Sequence, residues 1–106
     1  MLDDFNSDNF VDDHGNPAGG FVAGIGMNIT WQNGPLGTGL SRKPPNGAFV
    51  ETVIKAAAQR LEFYQGSKFN CTENDIALQC LNAALDTLNN RTKSREDRGV
   101  EGTHTI

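Results

Sequence analysis

The chain has little of several things that chemistry needs. In 106 residues it holds two cysteines, Cys71 and Cys80, two histidines, one tryptophan and one tyrosine. Two His and two scattered Cys make a poor zinc set, and no second His stands near His104 and Glu101. His14 falls in an unrelated loop. No nucleophile–base pair or carboxylate dyad stands out, so neither catalysis nor a cofactor is expected. No stretch approaches the length of a membrane span. Residues 1–20 are polar and acidic, unlike a secretory signal. The expectation is a cytoplasmic setting with both thiols reduced. Cys80 reads as a small apolar filler in a helix. The Asn-x-Thr triplets at Asn28, Asn70 and Asn90 then count as chance matches.

Basic excess is also missing, because the formal net charge is −4. That figure hides an asymmetry. Five aspartates (Asp3, Asp4, Asp8, Asp12 and Asp13) crowd the first thirteen residues, leaving eight acids against nine bases elsewhere. Four of the nine bases lie between Arg91 and Arg98. Residues 1–19 therefore read as a partly ordered acidic arm, and residues 20–106 as a single ligand-binding domain. The basic cluster favours an anionic partner but is too small for a DNA duplex, which points to a small phosphate-bearing ligand. A chain of this size buries only about 60–65% of its unfolded surface, so a homo-oligomer is expected.

What is present is patterned. FVAGIGMNITWQ (21–32) alternates as a half-buried antiparallel strand or pair of strands does, with Gly24 and Gly26 marking a turn or bulge. Residues 33–46, rich in Gly and Pro, form a loop. Asn46 can cap a helix over about 47–65. Its apolar face is Val50, Val53, Ile54, Ala57, Leu61 and Tyr64, extended by Phe49, Ala56 and Phe63, and Gly66 stops it. A short linker then returns an antiparallel helix over about 73–92. Thr72 to Asp75 has the form of a capping box. Leu78, Leu81, Leu85 and Leu88 form the stripe of this second helix, beside Ala77 and Ala84, and the stripe ends at Asn89. A polar tail, 93–106, follows. The fold class is α+β: a small N-terminal antiparallel β element, then an antiparallel helical hairpin and a functional C-terminal tail. Two helices alone give too few layers for a closed core.

The binding candidates follow from residue chemistry. Arg91, Arg95 and Arg98 stand at i, i+4 and i+7, so a helix continuing through Glu96 would align three guanidinium forks suited to phosphate. The plainer alternative is a solvated helix end. Gly99 and Gly102 could let the backbone approach a ligand. Phe63, Tyr64 and Phe69 flank the helix–helix turn, and Trp31 closes the strand. Aromatic faces opposite arginine planes grip unstacked bases, although Phe63 and Trp31 are equally at home in a core. Gln65, Asn70 and Asn74 surround the same turn and can read a base edge or cap helix ends. Arg42 and Lys43, in SRKPPNG (41–47), precede a helix start and offer a second anion site, or simply a basic loop.

The runs ITWQNGPLG (29–37), NGAFVETVIKAAAQRLEFYQGSKFNC (46–71) and RTKSREDRGVEGTHTI (91–106) resemble the first Thoeris anti-defence family of phage and prophage proteins. The likeness covers nearly all of residues 28–106, leaving the acidic arm outside. It implies a non-enzymatic sponge that sequesters a cyclic ADP-ribose isomer, glycocyclic ADP-ribose, inside the infected or lysogenic host. It also implies cyclic trinucleotides of CBASS immunity at a second site, and dimers that build hexamers as trimers of dimers. On this resemblance, Phe63 or Phe69 with Arg91 or Arg95 should sandwich adenine, with Tyr64 beside them. Asn74 and Gln65 should bond base or ribose, Arg98 the pyrophosphate and Glu101 a ribose hydroxyl, with Asn70 and His104 also among the ligand-binding residues. Trp31 should wall the pocket from a neighbouring subunit, and Arg42 with Lys43 should serve the second site. An enzyme hydrolysing such a messenger through Glu101 or His104, and a helical protein-interaction module, are the rival classes.

Overall fold

The computed structural model describes residues 4–106. In order, the elements are β1 (Phe5–Val11), β2 (Pro17–Gly24), β3 (Met27–Asn33), a 3₁₀ turn at Gly39–Ser41, α1 (Val50–Gln65) and α2 (Thr72–Asp97). The α+β expectation holds. The chain divides into two compact units: the strands and loop through Phe49 together with Val100–Ile106, and the hairpin Val50–Gly99.

The first unit is a three-stranded antiparallel meander, β1-β2-β3. Strand β1 is the main departure from expectation, since it occupies residues read as an acidic arm. Of that arm's aspartates, Asp3 lies outside the described residues. Pairing explains the rest: Phe5 faces Gly24, Ser7 faces Val22 and Asp8 faces Phe21, so β2 gives β1 the ladder its own composition does not announce. Residues directly opposite share a face. Phe5, Val22, Met27, Ile29 and Trp31 therefore lie on one side of the sheet. On the other, the Phe10 and Phe21 rings meet at 6.4 Å between centroids.

Beyond β3 the chain makes one parallel bridge, Trp31 to Ala48. It rests on Gln32 N–H donating to the Ala48 carbonyl (3.0 Å) and Ala48 N–H to that of Thr30 (2.7 Å). Asn46 does not cap α1. Its side chain instead accepts from Asn33 N–H (2.8 Å) and donates to the Asn33 carbonyl (2.9 Å), a strand-like use of an amide. With that amide engaged, α1 starts at Val50 rather than near 47.

In the second unit α1 and α2 fold back on each other. The cap of α2 is Cys71, not Thr72: its backbone is extended and its Sγ accepts from Asn74 N–H (3.4 Å). Asp75 takes a bond from Gln79 (3.0 Å) instead of closing a box. The packing line on α1 is also shifted. Ala58, 3% exposed, is the one buried hydrophobic residue among those described, while Ala57 is exposed. Ile54, Ala58 and Leu61 recur at helical spacing, and a methyl in the middle lets the helices approach closely. Leu78, Leu81, Ala84, Leu85 and Leu88 of α2 are half-buried. Helix α2 then runs five residues past its expected end, to Asp97. Arg, Lys and Glu are good helix formers, so the helix outlasts its apolar stripe.

Candidate functional site

The hairpin turn gathers the aromatic and amide candidates. Gln65 closes it in both directions, donating to the Cys71 carbonyl (3.0 Å) and accepting from Cys71 N–H (3.0 Å). Asn70 donates to the Ser67 carbonyl at 2.8 Å. The side-chain amide of Asn74 reaches the Phe69 carbonyl at 3.5 Å, the limit of a hydrogen bond. Gln65 and Asn70 therefore shape the turn, and Asn74 has the least committed amide of the three. Phe63 and Phe69 stay 56% and 67% exposed, which is costly for large rings in water. The Phe63 and Tyr64 rings sit 5.9 Å apart, tilted by 60°.

Both exposed rings carry a cation that sequence reasoning missed. The Arg60 guanidinium carbon lies 4.9 Å from the ring centroids of both Phe63 and Tyr64. Lys68 Nζ lies 5.3 Å from the Phe69 centroid. The signal for Arg60 was available, because it precedes Phe63 and Tyr64 by three and four residues on one helix.

The arginine row is real but lies elsewhere. Helix α2 continues through Asp97 with Arg98 as its C-cap, so Arg91, Arg95 and Arg98 share one face. Asn74 begins the same helix. At 1.5 Å per residue, Asn74 and Arg91 are about 26 Å apart along the axis. The hairpin therefore carries the amide and ring cluster at its turn and the guanidinium row at the far end of α2.

The remaining candidates belong to the first unit. Trp31 is half-buried on β3. Arg42 grips Glu101 with both terminal nitrogens, at 2.6 and 3.0 Å, bringing together residues expected at two separate sites. Beside this pair, Gly37 N–H donates to the Gly102 carbonyl (2.8 Å). Lys43 is held by its backbone, whose N–H donates to the Leu36 carbonyl (2.7 Å). His104 is exposed. The Asp12 carboxyl is held below its usual range chiefly by the hydrogen bond from Asn16 N–H, with His104 the smallest of the assisting causes. The segment 100–104 is thus tied into the loop of its own unit.

Among the described residues, no group of three His, Cys, Asp or Glu side chains is placed to hold a metal ion. No helix among them is long and apolar enough to cross a membrane.

A hairpin is also what comparison finds. Residues 24–93 match the family model described as "Acb2/Tad1, hairpin domain". The chain belongs to this family. A curated relative, "Thoeris anti-defense 1" of Bacillus phage SBSphiJ7, is 43% identical over 82 residues, covering 77% of this chain and 55% of the relative. The chain thus spans about half the length of that protein. Within the Acb2/Tad1 hairpin match fall Trp31, Arg42, Lys43, all the turn candidates and Arg91. Arg95, Arg98, Glu101 and His104 lie beyond it, as does β1.

Proposed function

We propose that this Acb2/Tad1 hairpin protein is a non-enzymatic sponge for a cyclic nucleotide immune messenger and thereby inhibits Thoeris defence. The ligand is glycocyclic ADP-ribose, and the work is done in the cytoplasm of the infected or lysogenic bacterium. The name of the phage relative supports the Thoeris target. The observation that carries the binding chemistry is the pairing, on one hairpin, of exposed aromatic faces with an aligned row of guanidinium groups. Rings suit a base, and guanidinium forks suit a pyrophosphate. These groups hold a ligand without breaking it.

The separation of about 26 Å along α2 means that one chain cannot close both clusters on one small nucleotide. Two antiparallel copies can, with the turn of one chain meeting the arginine row of the other. A homo-oligomer also agrees with a chain in which Ala58 is the one buried hydrophobic residue among those described. Dimers assembling into hexamers are the proposed form. Arg42 and Lys43 are the proposed contacts for cyclic trinucleotides of CBASS immunity, and a phosphate there would compete with Glu101 for Arg42.

The test is recovery. Purified protein is mixed with glycocyclic ADP-ribose, freed of unbound ligand and denatured, and the released nucleotide is weighed by mass spectrometry. Unaltered messenger in near-stoichiometric amount is expected. A cleaved product would move Glu101 and His104 into catalytic roles, and no retained nucleotide would overturn the sponge.

A further inference from the structure

Arg60 sits in the notch between two tilted rings, with its guanidinium carbon 4.9 Å from each centroid. The stem of an arginine often covers apolar surface while its head stays in water. Two features go beyond that. The head itself, not the stem, lies over the rings, which fixes the orientation of its donors. No acid neutralises it: among the described residues its partners are the two rings alone. Arg42, by contrast, is closed off by a carboxylate. Phe63 meanwhile remains 56% exposed with Arg60 in place, so ring surface is still open.

We propose that Arg60 is a ligand-contacting residue of the aromatic turn, donating to a phosphate of a nucleotide whose base stacks on the open surface of Phe63. The inference rests on the sponge reading and deepens it. A nucleotide carries a flat base and an anion on one molecule, joined through a ribose that can pass the edge of a ring. Base stacking supplies affinity with little sequence preference, and a fixed guanidinium selects for the phosphate. The turn then has a cation of its own, independent of the distant arginine row.

The test compares the full-length wild-type protein with Arg60→Ala and Arg60→Lys, using glycocyclic ADP-ribose as the titrant in calorimetry at low and high salt. Position 60 is exposed on a helix, where Ala is well tolerated, and circular dichroism checks the fold. Arg60→Ala should weaken binding by about tenfold or more, the size of a lost charged hydrogen bond. The deficit should narrow as salt rises, and Arg60→Lys should recover part of it. Unchanged affinity in Arg60→Ala would overturn the inference and leave the sponge intact. So would a deficit that is equal at all salt concentrations and accompanied by a lower melting temperature, since that marks a packing role. Failure of the wild-type protein to bind would overturn both.

Discussion

Arg42 and Glu101, 59 positions apart in sequence, meet in a two-pronged ion pair at 2.6 and 3.0 Å. The pair is the side-chain clasp between the loop after β3 and the segment that follows the hairpin. It is not deeply buried, at 40% and 27% side-chain exposure, so solvent screens much of its attraction. Glu101→Gln should therefore cost only about 0.5–1 kcal/mol of local stability. Hydrogen exchange reads this directly: the Gly37 amide, bonded to Gly102 beside the clasp, should exchange several-fold faster. Unchanged protection would mean that the ion pair does not hold this segment.

Gly102 and Gly99 provide a matched pair of backbone tests. Both have positive φ, 78° and 73°. A Cβ on Gly99 would meet nothing, whereas one on Gly102 would overlap the Gly37 carbonyl oxygen and crowd Arg42. Gly99→Ala should cost about 1 kcal/mol, the left-handed penalty alone. Gly102→Ala should cost more, about 2–3 kcal/mol, and should release the segment from its loop. Limited proteolysis after residue 99 distinguishes them, because only the Gly102 variant should be nicked quickly.

The contrast between local and distant contacts explains what the sequence could reveal. The two helices were legible because their apolar residues repeat at helical spacing. Strand β1 was not, because Asp8 and its neighbours look like a solvated arm until β2 supplies a ladder. The Cys71 cap was missed because sulfur is a poor acceptor that no capping pattern includes. At the candidate site, residue types were legible and convergence was not. Rings, amides and arginines were all named, yet the length of α2 sets the amides and the arginine row at opposite ends. Arg60 is hard to read from sequence because it stands alone on α1, away from the dense C-terminal arginine cluster.

The turn joining β1 to β2 should be sensitive to acid. Asp12 is held below its ordinary value of 3.8, chiefly by Asn16 N–H, with desolvation opposing and His14 N–H, the Asn16 side chain and His104 assisting. A carboxylate with a depressed folded-state pKa stabilises the fold above its unfolded value and loses that effect as pH falls through the folded one. The turn should thus be fully formed above about pH 5 and loosen below the ordinary value of 3.8. Asp12→Asn should remove most of this dependence. An NMR titration following the His14 and Asn16 amides would show a common acid transition in the wild type and its loss in the variant. Flat amide shifts down to strong acid would refute the assignment.

Clusters separated along one hairpin make a stringent prediction for the assembled site. If the turn of one chain meets the arginine row of its partner, Phe69→Ala and Arg91→Ala damage opposite halves of the same pocket. Each variant alone should lose about 1–3 kcal/mol of affinity for glycocyclic ADP-ribose. Mixing the two and letting subunits exchange should create dimers with one pocket built from two intact halves and one built from two damaged halves. High-affinity binding should therefore reappear at reduced stoichiometry. Calorimetry of the mixture, compared with each variant alone, measures this. A mixture that binds no better than its components would place the whole site within one chain, and the spacing along α2 would then exclude either the turn or the arginine row from it.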